Sequence, residues 1–335
     1  MIKKVIVIAE AGVNHNGSVE TARKLILAAK KAGADIVKFQ TYKAENIVTN
    51  NVKSLDYQKI NAANDKITQF ELLKSLELKE QDFEELKDYS NKVGIDFLTT
   101  VFGLESINFL KKLNLNYTKI PSGEMLNVPY LRRVSKIPKP IFLSTGMADL
   151  EEIAFSIKVL TDSNFPSKKI TLLHCITMYP TPIHLSNISA LQKLKEKFGL
   201  NVGLSDHTES IEIPILAIGF GCRVIEKHLT LDNNQIGPDH KASLNPLNME
   251  KMIKNIRNME MALGDGVKQP NEEEKITANL VRPKIICRTP ITKGEVIAES
   301  KLTTLRANDG IDARYWDSIV NKIAQRSFIA GELLE

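Results

Sequence analysis

The chain has 335 residues, 43% hydrophobic and 25% charged, which suits a soluble globular protein with one large domain and a small one. Its 45 lysines and arginines exceed its 40 aspartates and glutamates by only five, and these charges are spread along the whole length; a nucleic-acid-binding face would cluster them, so nucleic acid is not an expected partner. Cys175, Cys222 and Cys287 lie far apart in apolar runs with no CxxC, which speaks against a disulfide framework and fits a reducing cytoplasm. The N-terminal apolar run stops at Glu10, too short for a signal peptide or a membrane span.

In chain order, short apolar strands alternate with helical patterns. "VIVIAE" precedes "SVETARKLILAAKKAG", whose apolar residues recur at helical spacing. "IVKFQT" is followed by a polar excursion (residues 42–66) and the helices "QFELLKSLE" and "QDFEELKDYSNKVG". "DFLTTV" pairs with "LESINFLKKL", "YTKIPS" with "VPYLRRVSKI", "PIFLSTG" with "DLEEIAFSIKVLTD", and "ITLLHCIT" with "ISALQKLKEKFG". "NVGLSDH" leads into "SIEIPILAIGFG", and "RVIEKHL" leads through a loop into "NPLNMEKMIKNIRNMEMALG". Near-continuous apolar strands are what a parallel sheet covered on both faces requires. Eight strand–helix units in residues 1–265 predict a (β/α)8 TIM barrel. An open doubly wound sheet would want GxGxxG after its first strand, and "AEAGVNHNG" lacks it. Residues 266–282 are polar and read as a linker with some helix. Residues 283–335 carry short strand and turn patterns and read as a small β-rich module, marginal in size on its own.

Chemistry in such a barrel gathers at the C-terminal strand ends. Those ends present Glu10, then Lys38 and Gln40, Thr100, then Lys119, Ser122 and Glu124, Ser144 and Gly146, His174, Thr177 and Tyr179, His207, and His228. A single strand-end histidine is commonly just a hydrogen-bonding group, and a single lysine a solvated charge. Two lysines, two carboxylates and two histidines on one mouth would be costly to bury without a ligand. Adjacent strands run ~4.8 Å apart, so His207 and His228 can reach one divalent ion and leave positions open for water or substrate. The lysines, with the hydroxyls and loop N–H groups of "PSGE" and "LSTG", suit a phosphate and a carboxylate. Two other functions fit parts of this pattern: a Schiff-base aldolase acting through Lys119, and a non-enzymatic role in which the tail binds protein or ice.

The motifs "IAEAGVNHNGS", "VKFQT", "KIPSGE", "LSTGM", "LLHC", "YPTP", "GLSDHT", "IEKHLT" and "GPDHKAS" occur in order, and with them the whole chain resembles the sialic acid synthase family, including N-acetylneuraminate, legionaminate and pseudaminate synthases. The tail resembles that family's antifreeze-like (SAF) module. The resemblance implies a transferase that condenses phosphoenolpyruvate with an open-chain N-acyl hexosamine, N-acetylmannosamine first, or a 2,4-diacetamido-6-deoxy hexose in a legionaminate or pseudaminate synthase. It implies Mn²⁺, or Mg²⁺ or Co²⁺, on His207 and His228. It implies Lys38, Thr100, Lys119, Ser122, Ser144 and Gly146 around phosphoenolpyruvate, with Glu10 and Glu124 near the reacting carbons. Gln40, Asn64, Thr177, Tyr179 and Asp239 would serve the sugar, with Arg306 of the tail on its N-acyl group. It also implies a homodimer with exchanged tails. Thr177 stands where some members carry Asn, and Val101 replaces the Pro usual after the strand-three threonine, which alters loop stiffness.

Overall fold

The computed structural model describes residues 4–49, 52–54, 61 and 66–335. They form two compact units, residues 1–265 and 266–335. In the first, strands β1 (Ile6–Gly12), β2 (Ile36–Thr41), β3 (Asp96–Val101), β4 (Thr118–Ile120), β5 (Ile141–Ser144), β6 (Ile170–Cys175), β7 (Asn201–Asp206) and β8 (Val224–His228) close into a parallel barrel in sequence order. β1 meets β8 with Glu10 opposite His228. Among the described residues the helices outside the barrel are α1 (Val19–Lys31), α2 (Gln69–Leu76), α3 (Glu80–Val93), α4 (Ser106–Leu113), α5 (Val128–Val134), α6 (Leu150–Asp162), α7 (Ala190–Phe198), α8 (Glu212–Gly219) and α9 (Pro246–Ala262). β4 is shorter than its apolar run because the chain turns at Pro121 into a 3-10 turn over Ser122–Glu124.

Local chemistry starts and stops these helices. Ser18 accepts a hydrogen bond from the Thr21 N–H and opens α1. Thr68 with Glu71, and Asp149 with Glu152, form reciprocal caps on α2 and α6. Gly94 ends α3 at φ 78°, a left-handed conformation that an L side chain rarely adopts. At the N-terminal end of the barrel, Arg257 of α9 bonds to the Val5 carbonyl (2.8 Å) and Asp35 (2.7 Å). Asp35 in turn accepts the Val7 N–H at 2.9 Å, so the first strands and the last helix are tied at the face opposite the site.

Strand parity decides what faces the axis, because successive side chains alternate sides. Gly203 of β7 is needed for close packing: a Cβ there would lie 2.5 Å from the Val224 carbonyl and 2.6 Å from Leu173. Ser205 and Glu226 are register partners and face inward. Asp206 and Lys227, the next partners, face the helices.

In the second unit, α10 (Glu272–Val281) occupies part of the polar segment. β9 (Pro283–Cys287) pairs antiparallel with β10 (Leu302–Arg306). Isolated bridges such as Ile291 with Phe328 and Val296 with Ile323 add to that pair, around a core that includes Ile285, Cys287, Ile291, Leu302 and Phe328. The sequence pattern suggested only strands and turns here, yet a short helix, α11 (Trp316–Ile319), follows a 3-10 turn at Ala313–Tyr315, where the Asp312 carboxylate accepts the Arg314 N–H.

Candidate active site

At the C-terminal end of the barrel the inward residues of β1, β2, β4 and β8 form a buried quartet of charges. Lys38 Nζ lies 2.8 Å from Glu10 and 3.6 Å from Glu226, and donates to Thr100 Oγ1 at 2.9 Å. Lys119 Nζ reaches both Glu226 oxygens, at 2.8 and 3.1 Å. Ser205 donates to the same carboxylate at 2.8 Å. Burial raises the Glu10 carboxyl to about 7, against the pull of Lys38. Glu226 is held well below the usual carboxylate range: burial opposes this, but Lys119 and Lys38 outweigh it. Lys38 keeps its proton despite burial because Glu10 and Glu226 face it, whereas burial and Lys38 together lower Lys119.

Next to the quartet stand two imidazoles. His207 and His228 have ring centroids 5.4 Å apart, and Tyr179 lies over His207 at 4.1 Å. His207 Nδ1 donates to the Ile176 carbonyl at 2.7 Å; burial works to lower this imidazole's pKa, but Cys175, that carbonyl and Asp206 together raise it above its ordinary value. His228 Nδ1 is buried with no hydrogen-bond partner among the described residues, and Asp239 Oδ2 is 3.8 Å away. Burial, reinforced by His207 and Lys38, holds His228 well below its ordinary pKa and so neutral, while burial raises Asp239 to about 6. Among the described residues no group of three or more His, Cys, Asp or Glu side chains is placed to hold a metal ion. His207 and His228 are the two side chains at the mouth that could hold a divalent ion and leave it open positions, and the orphaned Nδ1 of His228 is the buried group such an ion would satisfy.

β5 supplies a tight corner. The Gly146 N–H donates to Ser122 Oγ at 2.9 Å, and a Cβ on Gly146 would sit 2.4 Å from Thr177 Oγ1. Ser144 Oγ is buried and unpaired among the described residues. Gln40 Nε2 approaches Glu10 Oε1 at 3.3 Å. Gln40, Glu124, Thr177, Tyr179, His228 and Asp239 all line one cleft of about 700 Å³. Glu124 stands on its rim, accepting the Gly103 N–H (2.9 Å) and an Asn127 amide hydrogen (2.6 Å), apart from the quartet. Asn64 lies outside the described residues. Arg306 is exposed at the end of β10 in the second unit.

Reading strand ends alone missed Glu226, although it precedes His228 by two residues and therefore shares its inward face. The same parity turns His174 outward, where its Nε2 bonds to the Ser186 carbonyl at 2.9 Å, and brings Cys175 inward, 3.9 Å from His207 Nδ1.

A closed parallel eight-stranded barrel followed by a small β module is the (β/α)8 architecture this chain shares with a solved sialic acid synthetase. The sequence model of the NeuB family matches residues 25–268 and that of the SAF domain residues 283–335; the chain belongs to the NeuB family. It is 44% identical to N,N'-diacetyllegionaminic acid synthase of Campylobacter jejuni over 99% of both chains. It is 43% identical to the enzyme of that name in Legionella pneumophila, over 98% of this chain and 92% of the other. The crystal structure of N-acetylneuraminic acid synthetase from Leptospira borgpetersenii, in complex with citrate, superposes with a TM-score of 0.73 at 32% identity, over 82% of this chain and 90% of that one.

Proposed function

We propose that the protein condenses phosphoenolpyruvate with the open-chain aldehyde of a 2,4-diacetamido-6-deoxy hexose, giving a legionaminate-type nonulosonic acid and phosphate. The observation that carries the reading is the buried quartet beside the two imidazoles. Lys38 and Lys119 bring two ammonium groups to the barrel mouth, balanced there by Glu10 and Glu226, and two cations so placed suit a substrate that bears both a phosphate and a carboxylate. The names of the two legionaminic acid synthases above support the diacetamido sugar over the N-acetylmannosamine first expected from the motifs. N-acetylmannosamine remains the second reading, favoured by the Leptospira structure.

In this reading Lys38, Thr100, Lys119, Ser122, Ser144 and Gly146 hold phosphoenolpyruvate, while Gln40, Tyr179 and Asp239 orient the sugar. C3 of phosphoenolpyruvate forms the new bond to the aldehyde carbon as its C=O π bond breaks, the aldehyde oxygen takes up a proton from solvent to become a hydroxyl, and the positive charge left at C2 is taken up by water. Glu10, with its raised carboxyl, receives the proton of that water. The tetrahedral adduct then expels phosphate by C–O cleavage and leaves a 2-keto acid. His207 and His228 would hold Mn²⁺ or a similar ion, which when bound supplies Lewis acidity toward the sugar's carbonyl oxygen. The unpaired Nδ1 of His228 supports that assignment over a Schiff base on Lys119, whose ammonium group is taken up by Glu226. The test is phosphate release from phosphoenolpyruvate and Mn²⁺ with a panel holding both sugars. Sugar-dependent release, fastest with the diacetamido sugar, is expected; release without any sugar, or none with any, refutes the reading.

A further inference from the structure

The cleft above the quartet is divided by strand. The residues that follow β4, β6 and β8 give it a polar half, with Glu124, Asn127, Thr177, Tyr179 and Asp239. The residues that follow β1, β2 and β3, with α2, give it an apolar half: Val13, Tyr42, Phe102, Leu72, Leu73 and Leu76. These pack together as one small cluster, separate from the barrel core. The polar groups within this half are already spent. Tyr42 Oη donates to the Leu73 carbonyl (3.3 Å), the Phe102 N–H to the Thr41 carbonyl (3.1 Å), and the Gly103 N–H to Glu124. Among the described residues lining this side, the amides of Asn46 and Gln69, with that of Gln40 at the end of β2 already turned to Glu10, bring the further side-chain donors and acceptors.

A sugar hydroxyl turned to the Phe102 and Leu73 side chains of this wall, away from Asn46 and Gln69, would give up its hydration with no partner in return. A methyl group placed there removes apolar surface from water instead. A 6-deoxy sugar with a second acetamido group carries two methyls that N-acetylmannosamine lacks, and its added amide suits Asn46 and Gln69. We propose that this wall, through the half-buried side chains of Phe102 and Leu73, selects the 6-deoxy diacetamido hexose over its hydroxylated counterpart. The assignment rests on the synthase reading and names the residues that set its sugar choice.

Two variants test it. Leu73→Gln keeps a helix-forming residue on α2 and adds an amide, while Phe102→Tyr keeps the ring and adds a hydroxyl. The quantity to measure is kcat/KM for the 6-deoxy diacetamido sugar divided by kcat/KM for N-acetylmannosamine, with phosphoenolpyruvate saturating. Partial misfolding lowers both values together and leaves their ratio unmoved. The wild type should prefer the deoxy sugar, and each variant should cut the ratio roughly 10-fold, within the ~10–200-fold by which an apolar pocket discriminates a single carbon. A ratio that stays at its wild-type value in both variants overturns the assignment while leaving the synthase reading in place. So does a wild-type preference for N-acetylmannosamine. No phosphate release with either sugar overturns both.

Discussion

Glu10 carries the sharpest residue-scale consequence. Burial raises its carboxyl to about 7, and a base must be deprotonated to act. Turnover should therefore rise with pH through about 7 and level off above it, and Glu10→Gln should abolish that limb and lower kcat by ~10²-fold or more; a pH–rate profile of both proteins checks this. Gly146 gives a second expectation. Because its Cβ would meet Thr177 and Ser122, Gly146→Ala should break the hydrogen bond to Ser122 and raise KM for phosphoenolpyruvate, at a stability cost of ~1–3 kcal/mol read by denaturant titration. Glu10, Lys38 and Lys119 could be picked out of the sequence as single charges in otherwise apolar strands. Glu226 could not, because it stands beside Lys227 and His228 in β8, where only the two-residue repeat tells the inward side chain from the outward one.

At the scale of elements, β7 and β8 are joined through both faces at the point where the two histidines emerge. Inside, Ser205 meets Glu226. Outside, fully buried Lys227 pairs with Asp206 at 2.5 Å and donates to the carbonyls of Thr208 and Ser210. A buried ion pair adds little net stability, but removing one partner strands the other. Lys227→Met should cost ~3–5 kcal/mol in chemical denaturation, and adding Asp206→Leu should recover most of it. A double variant as unstable as the single one would show that the pair does more than balance charge. The eight strands and the barrel order could be read from alternating apolar runs and helical spacing. The Asp206–Lys227 pair could not, since a charge at a strand end reads alike whether it points to the axis or to the helices. The tail's short helix was hidden for a similar reason: "ARYWDSI" is too brief for a helical period to develop.

The whole molecule comprises two compact units. The barrel unit holds the cleft, and the SAF unit presents Arg306 at the end of β10. We propose that the protein is a homodimer in which each tail serves its partner's barrel. Co-expressed His228→Ala and Arg306→Ala variants should then regain activity well above either alone, because one mouth of the hybrid collects both defects and the other none; differential tags confirm the hybrid, and no recovery refutes the exchange. Chelation with EDTA should abolish turnover and Mn²⁺ should restore it, with His207→Ala and His228→Ala each losing tight Mn²⁺ binding in calorimetry while the fold persists. The most direct test of the central claim is the fate of ¹⁸O placed in the bridging position of phosphoenolpyruvate, followed by mass spectrometry after incubation with the diacetamido sugar and Mn²⁺. Water attack at C2 predicts that the label leaves with the phosphate. Label retained in a sugar product, or unlabelled phosphate released at the same rate without sugar, would contradict it.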